Sequence, residues 1–134
     1  KAEISKGLVI LLGIKSDDSL ADMEFVADKC SSLRIFEDEN EKMNLSLKDV
    51  NGEVLIISQF TLYGDAQKGN RPSFIDAARP EVAIPLYEKF IERMKNNLGE
   101  DKVKTGLFGA MMKVKIINDG PVTIIIESKN NKAK

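Results

Sequence analysis

The chain contains no histidine. That absence removes the Ser-His-Asp triad, the Cys-His dyad and His-ligated zinc. A hydrolase of this composition must work with hydroxyls, carboxylates, lysines, backbone dipoles or groups that its substrate brings. Cysteine occurs once, at Cys30, so there is no internal disulfide framework, and a lone thiol fits a reducing cytosol. Its place on the apolar face of a predicted helix makes it a buried structural residue rather than a nucleophile. No apolar run reaches the length of a membrane span; Leu8 to Ile14 is short and flanked by Gly7 and Gly13. Neither an initiating Met nor a signal-like segment opens the sequence, so the true N-terminus is expected to lie before Lys1. An excess of one charge is also lacking: the net charge is −1. Proteins that coat long duplexes carry a strong positive excess, so any nucleic-acid footprint here is expected to be small and local. Neither a membrane nor DNA is an expected partner.

What is present is enough for one domain over residues 1–134, with 43% hydrophobic residues to form a core. There is no internal repeat and no low-complexity linker, and the polar tail from Lys129 to Lys134 is expected to fray. Residues 7–14 are almost continuously apolar, which predicts a central strand buried on both faces. Ser16, Asp17, Asp18 and Ser19 offer N-cap side chains. Met23, Val26, Ala27, Cys30 and Leu33 then recur at helical spacing, predicting an amphipathic helix over 19–33. Residues 34–52 are polar and irregular, closing on an Asn51-Gly52 turn. Val54 to Ile57 are too apolar for an exposed edge and predict a strand over 53–61. Residues 63–79 form a long loop without periodicity, a length that is often functional. A second helix is predicted over 83–97, with Pro85 in its first turn, Leu86, Tyr87, Phe90, Ile91 and Met94 as its buried stripe and Gly99 as its C-cap. A short strand over 103–105 and two more over 113–118 and 122–128 complete the order. Lys113 and Lys115 alternate with Val114 and Ile116, so one face of that strand should be basic and the other buried. Strand, helix, strand, helix and further strands predict an α/β domain, with mixed sheets and two main helices packed on one side.

Two polar corners stand out. Asn118-Asp119-Gly120-Pro121 lies between two apolar stretches. Gly120 has conformations closed to other residues, Pro121 fixes its own φ, and a Gly-Pro bond is a candidate for the cis isomer. Common turn chemistry accounts for the same residues as an ordinary hairpin. Ser58, Gln59, Phe60 and Thr61 end the second strand, and ligand sites in sheets with helical crossovers favour such ends. Backbone N–H groups there can hold a developing oxyanion. Thr61 is the best-placed hydroxyl for a nucleophile, yet no base stands beside it in the sequence; a β-branched strand residue with a satisfied hydroxyl explains it equally well. Glu37, Asp38, Glu39 and Glu41 match no magnesium or calcium pattern and fit a solvated loop. Lys68 and Arg71, with Lys113 and Lys115, are either ordinary surface charges or the lining of one phosphate-holding groove. Phe108 and Ala110, beside glycines, either wall a small pocket or pack a strand end.

Five segments in order resemble the D-aminoacyl-tRNA deacylase family. They are Lys6-Gly7-Leu8 through Leu12-Gly13; Leu33 to Asp38 with Lys42 to Ser46; Ser58-Gln59-Phe60-Thr61-Leu62; Gly69-Asn70-Arg71-Pro72-Ser73-Phe74; and Phe108-Gly109-Ala110-Met111 with Asn118 to Thr123. Together they span nearly the whole chain. The family opens with a further strand, carrying an arginine near the Gly-Pro corner, before the position of Lys1; that segment is expected to be missing here. The resemblance implies a cytoplasmic homodimer, without cofactor or metal, that hydrolyses the ester of D-aminoacyl-tRNA, and of mischarged glycine, at the 3′ acceptor end. It implies a cis Gly120-Pro121 corner that reaches into the partner's pocket, binds the substrate's amino group and excludes L side chains. The N–H groups of Phe60 and Thr61 would face the scissile carbonyl, and Ser58 and Gln59 the adenosine. Phe108, Gly109, Ala110 and Met111 would line the pocket, with Asn118 and Thr123 among the substrate-binding residues. Either Thr61 attacks, or the adenosine 2′-hydroxyl assists a water; the lack of a base for Thr61 favours the second. A non-catalytic module for the acceptor end or a small metabolite, and a structural dimerisation domain, are the competing readings.

Overall fold

The computed structural model describes residues 2–128; the tail expected to fray lies outside the described residues. Three parallel strands form the main sheet: β1 (Gly7–Leu12), β4 (Glu53–Ser58) and β5 (Val103–Thr105), in the order β1-β4-β5. β2 (Phe36–Glu37) and β3 (Met43–Leu45) make a separate antiparallel pair. Two helices, α1 (Leu20–Ser32) and α2 (Pro80–Leu98), lie against one face of the main sheet. The α/β architecture expected from the order of elements is therefore present.

Period-two alternation decides which strand residues meet the helices. Ile10, Leu12, Val54, Ile56 and Val103 share one core with Ala27 and Cys30 of α1 and with Ala83, Tyr87, Phe90 and Met94 of α2. The stripe read from the second helix is the one buried. α1 begins where its caps predict: the Ser19 side chain accepts from the Asp22 N–H, and the Asp22 carboxylate accepts from the Ser19 N–H at 2.9 Å. That capping box satisfies two orphan donors of the first turn. Asp22 is buried and its other oxygen accepts from Ser128 Oγ at 3.0 Å, tying the end of the described chain to the start of α1. At the far end of α2, Gly99 takes φ 113° and donates to Lys95 O at 2.8 Å. Only glycine does this without strain.

Four expectations need correction. β1 is an edge strand of the three, with Leu11 39% exposed; apolarity reported that it packs, not that it pairs on both sides. The second strand stops at Ser58, and Phe60–Tyr63 form a 3-10 turn, so Thr61 is not a strand residue. α2 starts at Pro80, which takes the first-turn role assigned to Pro85; Pro85 lies inside the helix, on its exposed side. Stretches 113–118 and 122–128 form no strand. Val114 and Ile116 are 40% and 49% exposed, so the predicted buried face does not exist. Alternation fits a half-buried strand but does not supply the neighbouring ladder that a strand requires.

Candidate active site

β4 delivers its last residues to the carboxyl edge of the sheet. Gln59 N–H donates to Leu12 O at 2.8 Å and so continues the β1–β4 ladder by one step. The chain then tightens: Leu62 N–H donates to Gln59 O at 3.2 Å and Gly64 N–H to Thr61 O at 2.9 Å. The first N–H groups of a helical turn have no partner within it. Here those are the N–H groups of Phe60 and Thr61, and neither has a protein acceptor among the described residues. Both residues are exposed. Successive free amides on a short, pinned turn are suited to hold an oxyanion. Thr61 Oγ1 has no acid or base hydrogen-bonded to it among the described residues, so none of them activates it as a nucleophile.

β5 delivers the second wall. Gly106 N–H donates to Ile56 O at 3.0 Å, and Tyr87 Oη is shared between Ile56 O at 3.2 Å and Gly106 O at 3.1 Å. Tyr87 is buried, and loss of water contact pushes its phenol upward, so it stays a neutral donor. Directly after this latch the chain turns: Ala110 N–H donates to Leu107 O at 3.1 Å, and Gly109 takes φ 75°. The Phe108 ring packs on Tyr87 with centroids 5.6 Å apart and borders the core. Ser58 to Thr61 and Phe108 to Ala110 thus leave adjacent parallel strands at the same edge. Met111, expected to line the pocket with them, is fully exposed at 100%. Sequence reasoning placed Tyr87 in the helix stripe and missed its second task. The signal was available: a tyrosine in a buried stripe needs a partner for its hydroxyl.

The Gly-Pro corner is built by Asn118. Its Oδ1 accepts from Val122 N–H and its Nδ2 donates to Thr123 Oγ1, both at 3.1 Å. The Gly120-Pro121 bond is cis. Gly120 has φ 129°, and a Cβ there would stand 2.9 Å from Val122 Cγ2, so no other residue fits. Residues 118–121 are exposed.

The loop after the turn is an ordered arm. Asp65 and Ser73 exchange backbone hydrogen bonds of 2.7 and 2.8 Å, and Phe60 meets Phe74 edge to face at 5.2 Å. Lys68 and Arg71 are exposed on it, as are Lys113 and Lys115 on the later segment. In the acidic loop, Asp38 accepts from Asn40 N–H, Lys42 N–H and Asn44 Nδ2, which holds its carboxyl below the usual range. That bonding closes the β2–β3 connection and accounts for the Asp.

The sequence profile of the D-Tyr-tRNA(Tyr) deacylase family matches residues 1–127. A D-aminoacyl-tRNA deacylase of Flavobacterium psychrophilum is 58% identical over 129 residues, covering 96% of this chain and 85% of the relative. The corresponding protein of Cytophaga hutchinsonii is 59% identical over 129 residues, with the same coverage of 96% and 85%. Among solved structures, a c-Myc DNA unwinding element binding protein superposes with a TM-score of 0.85 at 42% identity, covering 90% of this chain and 81% of that one. A probable eukaryotic D-amino acid tRNA deacylase shares the fold, with a TM-score of 0.66 at 18% identity over 77% and 75% of the two chains. With the profile spanning all but the last residues and these relatives matched nearly end to end, the chain belongs to the D-Tyr-tRNA(Tyr) deacylase family.

Proposed function

We propose that this protein hydrolyses the ester joining a D-amino acid to tRNA, releasing free D-amino acid and tRNA, as a proofreading step in translation. The observation that carries the chemistry is the pair of acceptor-free amides of Phe60 and Thr61 at the end of the central strand. The ester carbonyl lies against them. A water oxygen bonds to the carbonyl carbon, the carbon–oxygen bond to the ribose breaks, and the water's proton passes to the departing ribose oxygen. The adenosine 2′-hydroxyl assists the water, since no base is hydrogen-bonded to Thr61 among the described residues. Ser58 and Gln59 shape the adenosine end, and Phe108, Gly109 and Ala110 line the pocket; Met111, fully exposed in one chain, joins them only if a second copy covers it.

Chirality is read by the corner. The carbonyls of Gly120 and Pro121 accept from the substrate's amino group, Asn118 and Thr123 hold them in place, and an L side chain collides with the corner. Rejection by collision is specificity gained from what does not fit; glycine, with no side chain, passes. The exposed corner serves the pocket of a second copy, and the working unit is a homodimer; the uncovered Ile117 and Ile125 near it in sequence support that reading. Only the 3′ acceptor end of tRNA is gripped, in keeping with a net charge of −1. A cytoplasmic setting, where translation occurs, follows from that substrate. No cofactor enters this scheme.

The test is amino-acid release from matched D- and L-tyrosyl-tRNA. The D ester is expected to be lost rapidly and the L ester spared. Thr61→Ala should keep turnover within about tenfold of the parent, whereas a loss of about a thousandfold or more would make Thr61 the nucleophile. Release of both esters at only the spontaneous rate, with saturable tRNA binding, would replace the enzyme by a binding module.

A further inference from the structure

We infer that the arm 64–73 grips the acceptor strand of tRNA, with Lys68 and Arg71 on its phosphates; this rests on the deacylase reading above. The arm grows out of the turn that carries the free amides. Its base is pinned three times: by the paired backbone bonds of Asp65 and Ser73, by the Phe60–Phe74 edge contact, and by close passage of Gly64 under Phe74. A Cβ on Gly64 would stand 2.9 Å from Phe74 Cε1 and 3.0 Å from Thr61 O. These contacts tie the base of the arm to the turn that carries the amides.

The tip is a cationic island. Neither Lys68 nor Arg71 makes an ion pair among the described residues, and both are exposed. Asp65, the one acid between Gly64 and Ser73, accepts from Gln67 N–H at 2.9 Å, which turns that oxygen to the arm's own backbone. Gly69 turns the tip with φ 66° and open space around it. From the Asp65–Ser73 bridge to Gly69 is four residues, a reach of about 13 Å in extended chain. With an ester held at Phe60 and Thr61, an arm of that reach would bring Lys68 and Arg71 to the preceding nucleotides of the same strand. Lys113 and Lys115 are the rival cations, but their segment exposes Val114, Ile116 and Ile117, the apolar surface suited to the second subunit.

The experiment compares the parent with the double variant Lys68→Gln/Arg71→Gln on two substrates over a series of salt concentrations. One substrate is D-tyrosyl-tRNA; the other is D-tyrosyl-adenosine, which has the same ester and no phosphate. For the tRNA substrate KM should rise about tenfold with kcat little changed. The slope of log affinity on log salt should shrink by about 1.4, about 0.7 for each single-strand phosphate left without its cation. D-tyrosyl-adenosine should be hydrolysed as before. An unchanged KM and slope, or an equal loss on both substrates, would overturn the inference. So would a loss of salt dependence in Lys113→Gln/Lys115→Gln instead. Binding of uncharged tRNA, measured alongside, separates the two levels: if the parent hydrolyses neither substrate yet its tRNA affinity and salt slope fall in the Lys68/Arg71 variant, the grip stands and the deacylase reading falls.

Discussion

Asn118 shows how much one side chain can decide. Its amide closes the Gly-Pro corner from both sides, once to Val122 N–H and once to Thr123 Oγ1. Each such bond contributes about 1 kcal/mol. Asn118→Ala should leave global stability nearly unchanged, because the corner is exposed, but let the corner wander. The ratio of D- to L-tyrosyl-tRNA hydrolysis is expected to fall about tenfold. Asn118→Asp, which keeps the acceptor for Val122 and loses the donor to Thr123, should fall between; paired release assays check both. Cys30 is the opposite kind of residue. It is buried, and burial pushes its thiol up to about 11. An aromatic disulfide reagent should label it slowly in the native protein and at once after denaturation. The inert character of Cys30 was legible from helical spacing alone. The clamp of Asn118 was not, because a motif marks which residues share a corner and not which amide closes it.

The elements have their own dependencies. β1 can approach β4 only because residue 7 has no side chain: a Cβ on Gly7 would lie 1.7 Å from Glu53 O. Gly7→Ala must push the strands apart where their register begins, at a cost of about 2–3 kcal/mol, visible as a lower midpoint in chemical denaturation. The helices are tied by Arg93 of α2, which donates to both oxygens of Asp28 at 2.9 and 2.8 Å and to Glu24 at 3.1 Å. Those bonds to Arg93, with one from Asn97, lower the Asp28 carboxyl from 3.8 to about 2. A depressed carboxylate stabilises the fold above its unfolded value and ceases to as pH falls through the folded one. The tie is therefore complete above about pH 4 and lost near pH 2. Because Asp28 is 47% exposed, water screens the pair, and Asp28→Asn should cost about 1 kcal/mol or less at neutral pH. Thermal unfolding between pH 5 and pH 2 should be flatter in that variant. Both helices and the central strand were legible in the sequence, since caps and apolar spacing are local signals. The edge position of β1 was not, because pairing depends on residues far along the chain. β2 and β3 are too short to announce themselves among polar neighbours.

At the scale of the whole molecule, an apolar surface remains. Ile117 and Ile125 are 87% and 84% exposed, with Leu107, Met111 and Ile124 also uncovered. Surfaces of this kind mark association sites. If the proposed homodimer uses this surface, Ile117→Lys should give a monomer by sedimentation and abolish deacylation, while circular dichroism stays unchanged. A protein that stays dimeric and active would disprove the shared pocket.

The Tyr87 latch has a consequence in time rather than space. Its hydroxyl and the Gly106 amide meet on one carbonyl, Ile56 O, so the floor of the pocket belongs to the central strand and the buried helix stripe. Such a floor opens only when the core opens. In deuterated solvent the Gly106 amide should exchange on the slow clock of global unfolding, and the Phe60 and Thr61 amides, beside it but without acceptors, on the fast clock of free peptide. A bound ester would slow only the second. On the proposed reading, that floor is in place before any tRNA arrives.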